Sequence, residues 1–346
     1  MSVNKKHNAG NDICGIHHIT AIASDPQRNV DFYTSVLGLR LVKLTVNFDD
    51  PDTYHLYFGD EFGCPGTILT FFPWPSAPKG YRGTGQVVTT SFLIPENSVS
   101  YWTSKLRDKN IPFKRSIKRF NDETVITFYD PDGLELELVA HNSAKYRTGN
   151  VWKQGPIPEE LAIRGFYSAT LSVDGYEYTS SVLTDVLGFN LIREEGSRCR
   201  FQLPKKQSED KESDGANIVD VLCLPYTSRG YVGVGTVHHI AWRTPTDEQQ
   251  KRLRSKVVQA GLNATPVIDR VYFHSVYFRE PGGVLFEIAT NPPGFAIDEK
   301  QEELGTRLML PKWLEPVRKD LEKRYRHYVC QNRRRKLTNS TMVTVD

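Results

Sequence analysis

The sequence contains no uninterrupted apolar stretch of about 18 residues, the length a membrane-spanning helix needs. Its opening, MSVNKKHNAGND, lacks the apolar core of a secretory signal, so residues 1–14 read as a flexible polar leader. Cysteine is sparse and scattered. The five (Cys14, Cys64, Cys199, Cys223, Cys330) show no CxxC or CxxxC spacing, which argues against a cysteine zinc knot. An odd number in a long chain suits a reducing, cytoplasmic setting. Charge of one sign is also missing: 44 Lys and Arg face 41 Asp and Glu, a net +3, which argues against bulk nucleic-acid binding. Glycine (25) and proline (20) are present at ordinary levels, so collagen-like and disordered classes are excluded for the chain as a whole. What remains is a globular chain of 346 residues, more than one hydrophobic core normally serves.

The chain repeats itself. Val36-Leu37-Gly38-Leu39-Arg40-Leu41-Val42-Lys43 resembles Val186-Leu187-Gly188-Phe189-Asn190-Leu191-Ile192-Arg193, 150 positions later. Asp130-Pro131-Asp132-Gly133 resembles Glu280-Pro281-Gly282-Gly283, and GIHHIT from Gly15 resembles GFYSAT from Gly165, both at the same 150-residue offset. A tandem duplication follows, 15–145 and 160–295, with a C-terminal helix and basic tail over 296–346. Each half divides again. GIHHITAIA is a short strand; Ser24 or Asp25 caps a helix with Pro26 in its first turn and Val30, Tyr33, Val36 and Leu37 on one face. Gly38 terminates it. Strand-like runs Leu39–Val46, Tyr54–Phe58 and Thr67–Phe72 come next. The same strand, helix, strand, strand, strand order fits 86–141, 163–225 and 235–291. The interruption Lys205–Gly215 reads as a solvated loop. The fold class is therefore α+β, four βαβββ modules.

Four such modules resemble the vicinal oxygen chelate superfamily, the glyoxalase and extradiol dioxygenase fold. The resemblance covers both repeats and implies modules paired into cupped, barrel-like sheets around a metal. Two histidine pairs, His17-His18 and His238-His239, each open a module. Strand side chains alternate, so one member of each pair faces a site and its neighbour faces the other way. In the superfamily the ligand directly precedes apolar strand residues; His18 precedes Ile19 and His239 precedes Ile240. The third family ligand is a Glu on a module's last strand, here Glu287 in VLFEIAT. Two imidazoles and a carboxylate compose the facial triad of non-haem Fe(II), with Mn(II) as a substitute.

The duplication provides an internal control. Shifted by 150 positions, His18 falls on Ser168, His239 on Thr89 and Glu287 on Glu137. Only a pairing of module one with module four assembles a whole triad; modules two and three would make a metal-free cleft. The fourth position of the first cleft is Thr70, a poor ligand. The resemblance also implies a Tyr ten residues before the Glu, which is Tyr277, orienting and protonating the substrate. His55, in YHLYFGD, lies on a strand of module one, and an imidazole suits proton transfer.

Longer strings, VNFDDPDTYHLYFGD, GTILTFFPWP and DRVYFHSVYFREPGGVLFEIATNPPGF, are similar to the ring-cleaving dioxygenases linked to hydroquinone and quinone resistance. That implies a small aromatic substrate, a hydroquinone or catechol, with O2 as co-substrate. Two alternatives use the same scaffold: a glyoxalase-like lyase or isomerase on Zn, Ni or Mn, and a non-catalytic binder of aromatic toxins. Neither a nucleic acid nor a membrane is an expected partner; a homo-oligomer is compatible. The glycine-rich GYRGTG and GYVGVG lack GK[ST] and a following Rossmann helix, so they read as linking turns rather than phosphate loops. Leu314, Val317, Leu321 and Tyr325 have helical spacing within Trp313–Lys336, and Arg333-Arg334-Arg335-Lys336 is a short basic cluster.

Overall fold

The computed structural model describes residues 12–147, 150–204 and 216–324. The apolar alternation of each module folds as expected. Module one contributes β1 (Ile16–Ala23), β2 (Arg40–Val46), β3 (Tyr54–Gly59) and β4 (Ile68–Pro73). Module two contributes β5 (Gln86–Ile94), β6 (Ile117–Arg119), β7 (Glu123–Tyr129) and β8 (Glu135–Ala140). Module three contributes β9 (Phe166–Val173), β10 (Asn190–Glu195), β11 (Arg198–Gln202) and β12 (Ile218–Cys223). Module four contributes β13 (Val237–Thr244), β14 (Ile268–Asp269), β15 (Phe273–Arg279) and β16 (Leu285–Pro293). One helical segment follows the first strand of each. In the first, Asp25 accepts the Arg28 backbone N–H at 2.7 Å and Pro26 occupies the opening turn. Val30, Tyr33, Val36 and Leu37 are buried. Gly38 ends the segment at φ +70°, and a Cβ there would meet Ile157 at 2.3 Å.

The strands make two eight-stranded sheets, ordered β14-β15-β16-β13-β1-β4-β3-β2 and β10-β11-β12-β9-β5-β8-β7-β6. Module one joins module four through antiparallel β1 and β13; module two joins module three through antiparallel β5 and β9. Each sheet thus takes one module from each repeat, the pairing expected from the pattern of ligand loss. The glycine-rich turns pair across the seam, Tyr81 N–H donating to Tyr231 C=O at 2.9 Å and Tyr231 N–H returning to Tyr81 C=O at 2.8 Å. They are linking turns.

Strict alternation fails at the seams. The β1–β13 register skips one residue at His17 and one at His238. The β5–β9 register skips at Val88 and Tyr167, their repeat mates. These are β-bulges, which re-aim a side chain.

Beyond β16 the chain returns over the outer strand of the first sheet. Met309 N–H donates to Leu44 C=O at 2.9 Å, and the fully buried Lys43 ammonium reaches Asp298 at 2.7 Å and Glu299 at 2.5 Å. The counterpart strand β10 is exposed throughout. The expected C-terminal helix begins later than its spacing suggested. Pro316 donates no backbone hydrogen bond, Glu315–Val317 forms a tight 3-10 turn, and the α-helix starts at Arg318. Leu321 is buried, whereas Trp313 and Val317 are exposed. Tyr325, the basic cluster and Lys205–Gly215 lie outside the described residues. Among the described residues no helix is long and apolar enough to cross a membrane.

Candidate metal centre

Adjacency of β1 and β13 brings His18 beside His239, and parallel β16 sets Glu287 opposite Ala241. The three side chains are buried and converge. His18 Nε2 lies 3.3 Å from His239 Nε2, and Glu287 Oε2 lies 3.2 Å and 3.0 Å from those nitrogens. Three donors held about 2.1 Å from a metal at about right angles stand about 3.0 Å apart. Glu287 Oε2 has no well-aligned hydrogen-bond donor although it is buried, and such an atom is costly unless something cationic faces it. Its partner oxygen Oε1 accepts the Ser275 hydroxyl at 2.5 Å, which fixes the carboxylate's rotation. The donor set fits a divalent metal bound on one face.

The electrostatics favour the ligating forms. Burial raises the Glu287 carboxyl, but positive charge on the side of His18 and His239 outweighs it and holds the group well below the usual carboxylate range. Burial pushes the His239 imidazole down against the pull of Glu287. A carboxylate and a neutral imidazole are the forms a metal binds.

The bulges correct one expectation. Alternation would turn His17 and His238 to the opposite side, away from the site. Instead His17 Nδ1 meets His18 Nδ1 at 3.0 Å, and His238 Nδ1 meets His239 Nδ1 at 2.8 Å. With Nε2 of each inner histidine aimed at the centre, its Nδ1–H donates and the neighbour accepts. Burial holds both neighbours neutral, His17 well down and His238 at about 3. His17→Ala and His238→Ala are therefore expected to retain metal but to bind it about 10- to 100-fold more weakly, the usual cost of removing such a partner. Competition with a chelator of known affinity measures this; unchanged affinity in both variants would show the contact to be idle.

A recess of about 360 Å³, counting its open mouth, lies over the triad. Phe48, Phe72 and Phe273 give it flat apolar walls, and His55, Tyr277 and Arg270 supply polar groups. Both catalytic candidates thus reach the cavity. The Tyr277 ring stands 5.7 Å from that of His239, and burial with the Glu287 carboxylate pushes its hydroxyl up, so it is a neutral donor. Burial, reinforced by His18 and His239, pushes His55 well down, so its imidazole is neutral. Phe72 lines the recess, whereas its neighbour Phe71 is core. His274 pairs with Asp247 at 2.6 Å and His141 caps a turn in the second module, outside the site.

Two residues escaped the sequence reading. Arg270 pairs with Asp49 at 3.0 and 2.9 Å, joining module four to module one, and lies 5.5 Å from the Tyr277 ring centre. Its turn is strained. Val271 has φ +67°, and Tyr272 N–H donates to Arg270 C=O at 2.8 Å, a γ-turn rarely tolerated by a β-branched residue. The repeat mate at this position is Asn121, with φ +68°, for which the conformation is cheap. The signal was available, since both residues lie inside the quoted strings, but nothing in their spacing marks them.

The second cleft holds Thr89, Ser168 and Glu137, as the duplication requires, within a network of buried ions. Arg119 reaches Glu123 at 2.6 Å and Glu137 at 2.9 Å; Arg200 pairs with Glu123 and reaches Asp220 at 2.7 Å. Arg198 adds a 2.7 Å contact to Asp220.

Comparison with known proteins agrees with this architecture. The family model described as "Glyoxalase/Bleomycin resistance protein/Dioxygenase superfamily" matches residues 15–138 and 165–288. "Putative ring-cleaving dioxygenase MhqO" of Bacillus subtilis (strain 168) is 47% identical over 308 residues, 89% of this chain and 94% of that one. "Chlorohydroquinone/hydroquinone 1,2-dioxygenase" of Sphingobium indicum is 33% identical over 316 residues, with 89% and 94% covered. A crystal structure of a Bacillus subtilis protein titled a "putative dioxygenase" superposes with TM-score 0.84 at 46% identity, covering 91% of this chain and 97% of that one. Maize glyoxalase I shares the fold, at TM-score 0.57 and 15% identity over 80% of this chain and 92% of its own. With two matched segments, one in each repeat, and full-length relatives, the chain belongs to the glyoxalase/bleomycin resistance protein/dioxygenase superfamily.

Proposed function

We propose that this chain is a ring-cleaving dioxygenase that uses Fe(II), or Mn(II) in its place, and O2 to open a hydroquinone or catechol ring of extradiol type. The carrying observation is the convergence of His18 Nε2, His239 Nε2 and Glu287 Oε2 within 3.3 Å beneath an aromatic-walled recess. The relatives support it: one carries ring cleavage in its name and another is named for hydroquinones. A bound iron would lower the pKa of a substrate hydroxyl and hold the ring beside O2.

The protein's own groups do the rest. His18, His239 and Glu287 hold the metal and leave one face open. Phe48, Phe72 and Phe273 offer apolar walls to a flat ring and exclude water. Tyr277 donates its proton to oxygen charge developing on the ring, and His55 is the base on which the substrate's proton charge comes to rest. Both atoms of O2 end in the opened ring, so no outside reductant is consumed.

Anaerobic purification, loading with Fe(II), Mn(II), Zn(II) or Ni(II), and oxygen uptake over a panel of hydroquinones and catechols test the assignment. Stoichiometric oxygen use on the iron or manganese form is expected. Turnover of a thiol adduct without oxygen on the zinc or nickel form would replace the reading with the lyase or isomerase. Tyr277→Phe is expected to keep its metal and to slow turnover by about 100-fold or more, the usual weight of a positioned proton donor; wild-type turnover would remove Tyr277 from the mechanism.

A further inference from the structure

Strand alternation on β3 puts His55 and Tyr57 on one face, and register puts Tyr57 opposite Thr70 on β4 and Thr70 opposite Thr20 on β1. Their polar atoms form a continuous chain. Tyr57 Oη lies 2.8 Å from His55 Nδ1, His55 Nε2 lies 2.8 Å from Thr70 Oγ1, and Thr70 Oγ1 lies 2.9 Å from Thr20 Oγ1. Tyr57 and His55 line the recess, whereas Thr70 and Thr20 have no solvent exposure. Thr70 stands where a fourth metal ligand would fall, and it holds His55 instead.

Module three, in the second sheet, shows what these positions become away from the triad. By register Arg200 is the mate of Tyr57, Arg198 of His55, Asp220 of Thr70 and Thr170 of Thr20. There Arg198 reaches Asp220 at 2.7 Å and Thr170 at 3.3 Å, and Arg200 reaches Asp220 at 2.7 and 2.9 Å. Fixed charges suffice for holding β11 to β12. Arginine donates without accepting and carboxylate accepts without donating, so that cluster passes no proton. Beside the triad every member of the chain can do both.

We infer that Tyr57, His55 and Thr70 form a proton relay for the ring substrate, with Tyr57 its contact to the substrate and Thr70 the positioning residue that sets the imidazole tautomer. The inference rests on the reading of the recess given under Proposed function. A phenol is a stronger acid than a neutral imidazole N–H, so Tyr57 O–H donates to Nδ1 and His55 Nε2–H donates to Thr70 Oγ1. Thr70 in turn donates to Thr20. When a substrate hydroxyl docks on Tyr57 Oη, its O–H bond breaks toward Oη as the hydrogen of Tyr57 moves to Nδ1. The electron pair stays on the substrate oxygen as phenolate. His55 becomes imidazolium, steadied by its bond to Thr70, and the same path run backwards returns the proton later in the cycle.

The test uses full-length protein. In Zn(II)-loaded, 15N-histidine-labelled wild type, the His55 resonances should show an unprotonated Nδ1 and a protonated Nε2; the opposite tautomer overturns the relay whatever the variants do. In Fe(II)-loaded protein without oxygen, the ultraviolet shift of bound hydroquinone to its phenolate is followed by stopped flow. Tyr57→Phe and Thr70→Val should slow it about 100-fold, with kcat falling in step, KM within about threefold and metal content unchanged, and Thr70→Ser should restore it. Wild-type rates in Thr70→Val and Tyr57→Phe overturn the relay and leave the dioxygenase reading standing. A wild-type protein that consumes no oxygen with any ring diol overturns that reading first, and the relay with it.

Discussion

Replacing His18 or His239 by alanine, or Glu287 by glutamine, is expected to bring metal content to background after gel filtration and to abolish turnover. The three donors lie on separate strands, β1, β13 and β16, so each loss leaves two of the three donors that converge there. Thr70 is not free to fill the gap, because its hydroxyl is engaged by His55 at 2.8 Å and Thr20 at 2.9 Å. The matched control is Glu137→Gln. Glu137 is the repeat mate of Glu287, yet it accepts from Ser91 at 2.8 Å and pairs with Arg119 at 2.9 Å, so it holds an arginine and not a metal. That variant should keep full metal content and turnover. Metal analysis across the four variants decides the matter: retention in any of the first three removes that residue from the ligand set, and metal loss in Glu137→Gln places a site in the wrong sheet.

The pairing of the modules was legible because the chain is duplicated. His18 and His239 could be grouped with Glu287, and modules one and four paired with each other, because Ser168, Thr89 and Glu137 showed that modules two and three together lack the two histidines. Tyr277 came from the resemblance alone, which puts a Tyr ten residues before the Glu. The bulges at His17 and His238 were not legible. Period-two reasoning presumes an unbroken ladder, and one unpaired residue in each strand swings a ring from the far side to hydrogen-bonding distance of its neighbour. Arg270 and Asp49 were hidden for another reason. They are 221 positions apart, and only closure of the cupped sheet joins β14 to the loop after β2. The late start of the C-terminal helix shows the same limit: spacing reported an apolar stripe, but Pro316 set where the helix could begin. Pattern reads what is local or periodic, and these features are neither.

The second sheet, built from modules two and three, is held by buried ion pairs. Asp220→Ala should destabilise the protein by about 3–5 kcal/mol while leaving the metal centre loaded. Three arginines (Arg119, Arg198, Arg200) and three acids (Glu123, Glu137, Asp220) are joined there, with Arg200 and Asp220 almost wholly buried. Charge balances only while all six are present. Removing Asp220 takes away three contacts, at 2.7 and 2.9 Å from Arg200 and 2.7 Å from Arg198, and leaves guanidinium charge out of water with one acid too few. The sign with pH follows. Burial raises the Asp220 carboxyl, but the guanidinium of Arg200, with Arg198, outweighs it and holds the group below its ordinary 3.8. Its contribution is complete above that ordinary value and is lost as pH falls through the lower folded one. The stability gap between wild type and Asp220→Ala should therefore be constant from neutral to mildly acidic pH and narrow only in strong acid. Denaturant melts at several pH values, read beside metal content, test both parts. Equal stability at neutral pH would show the network to be idle, and loss of metal would show that the second sheet governs the first site.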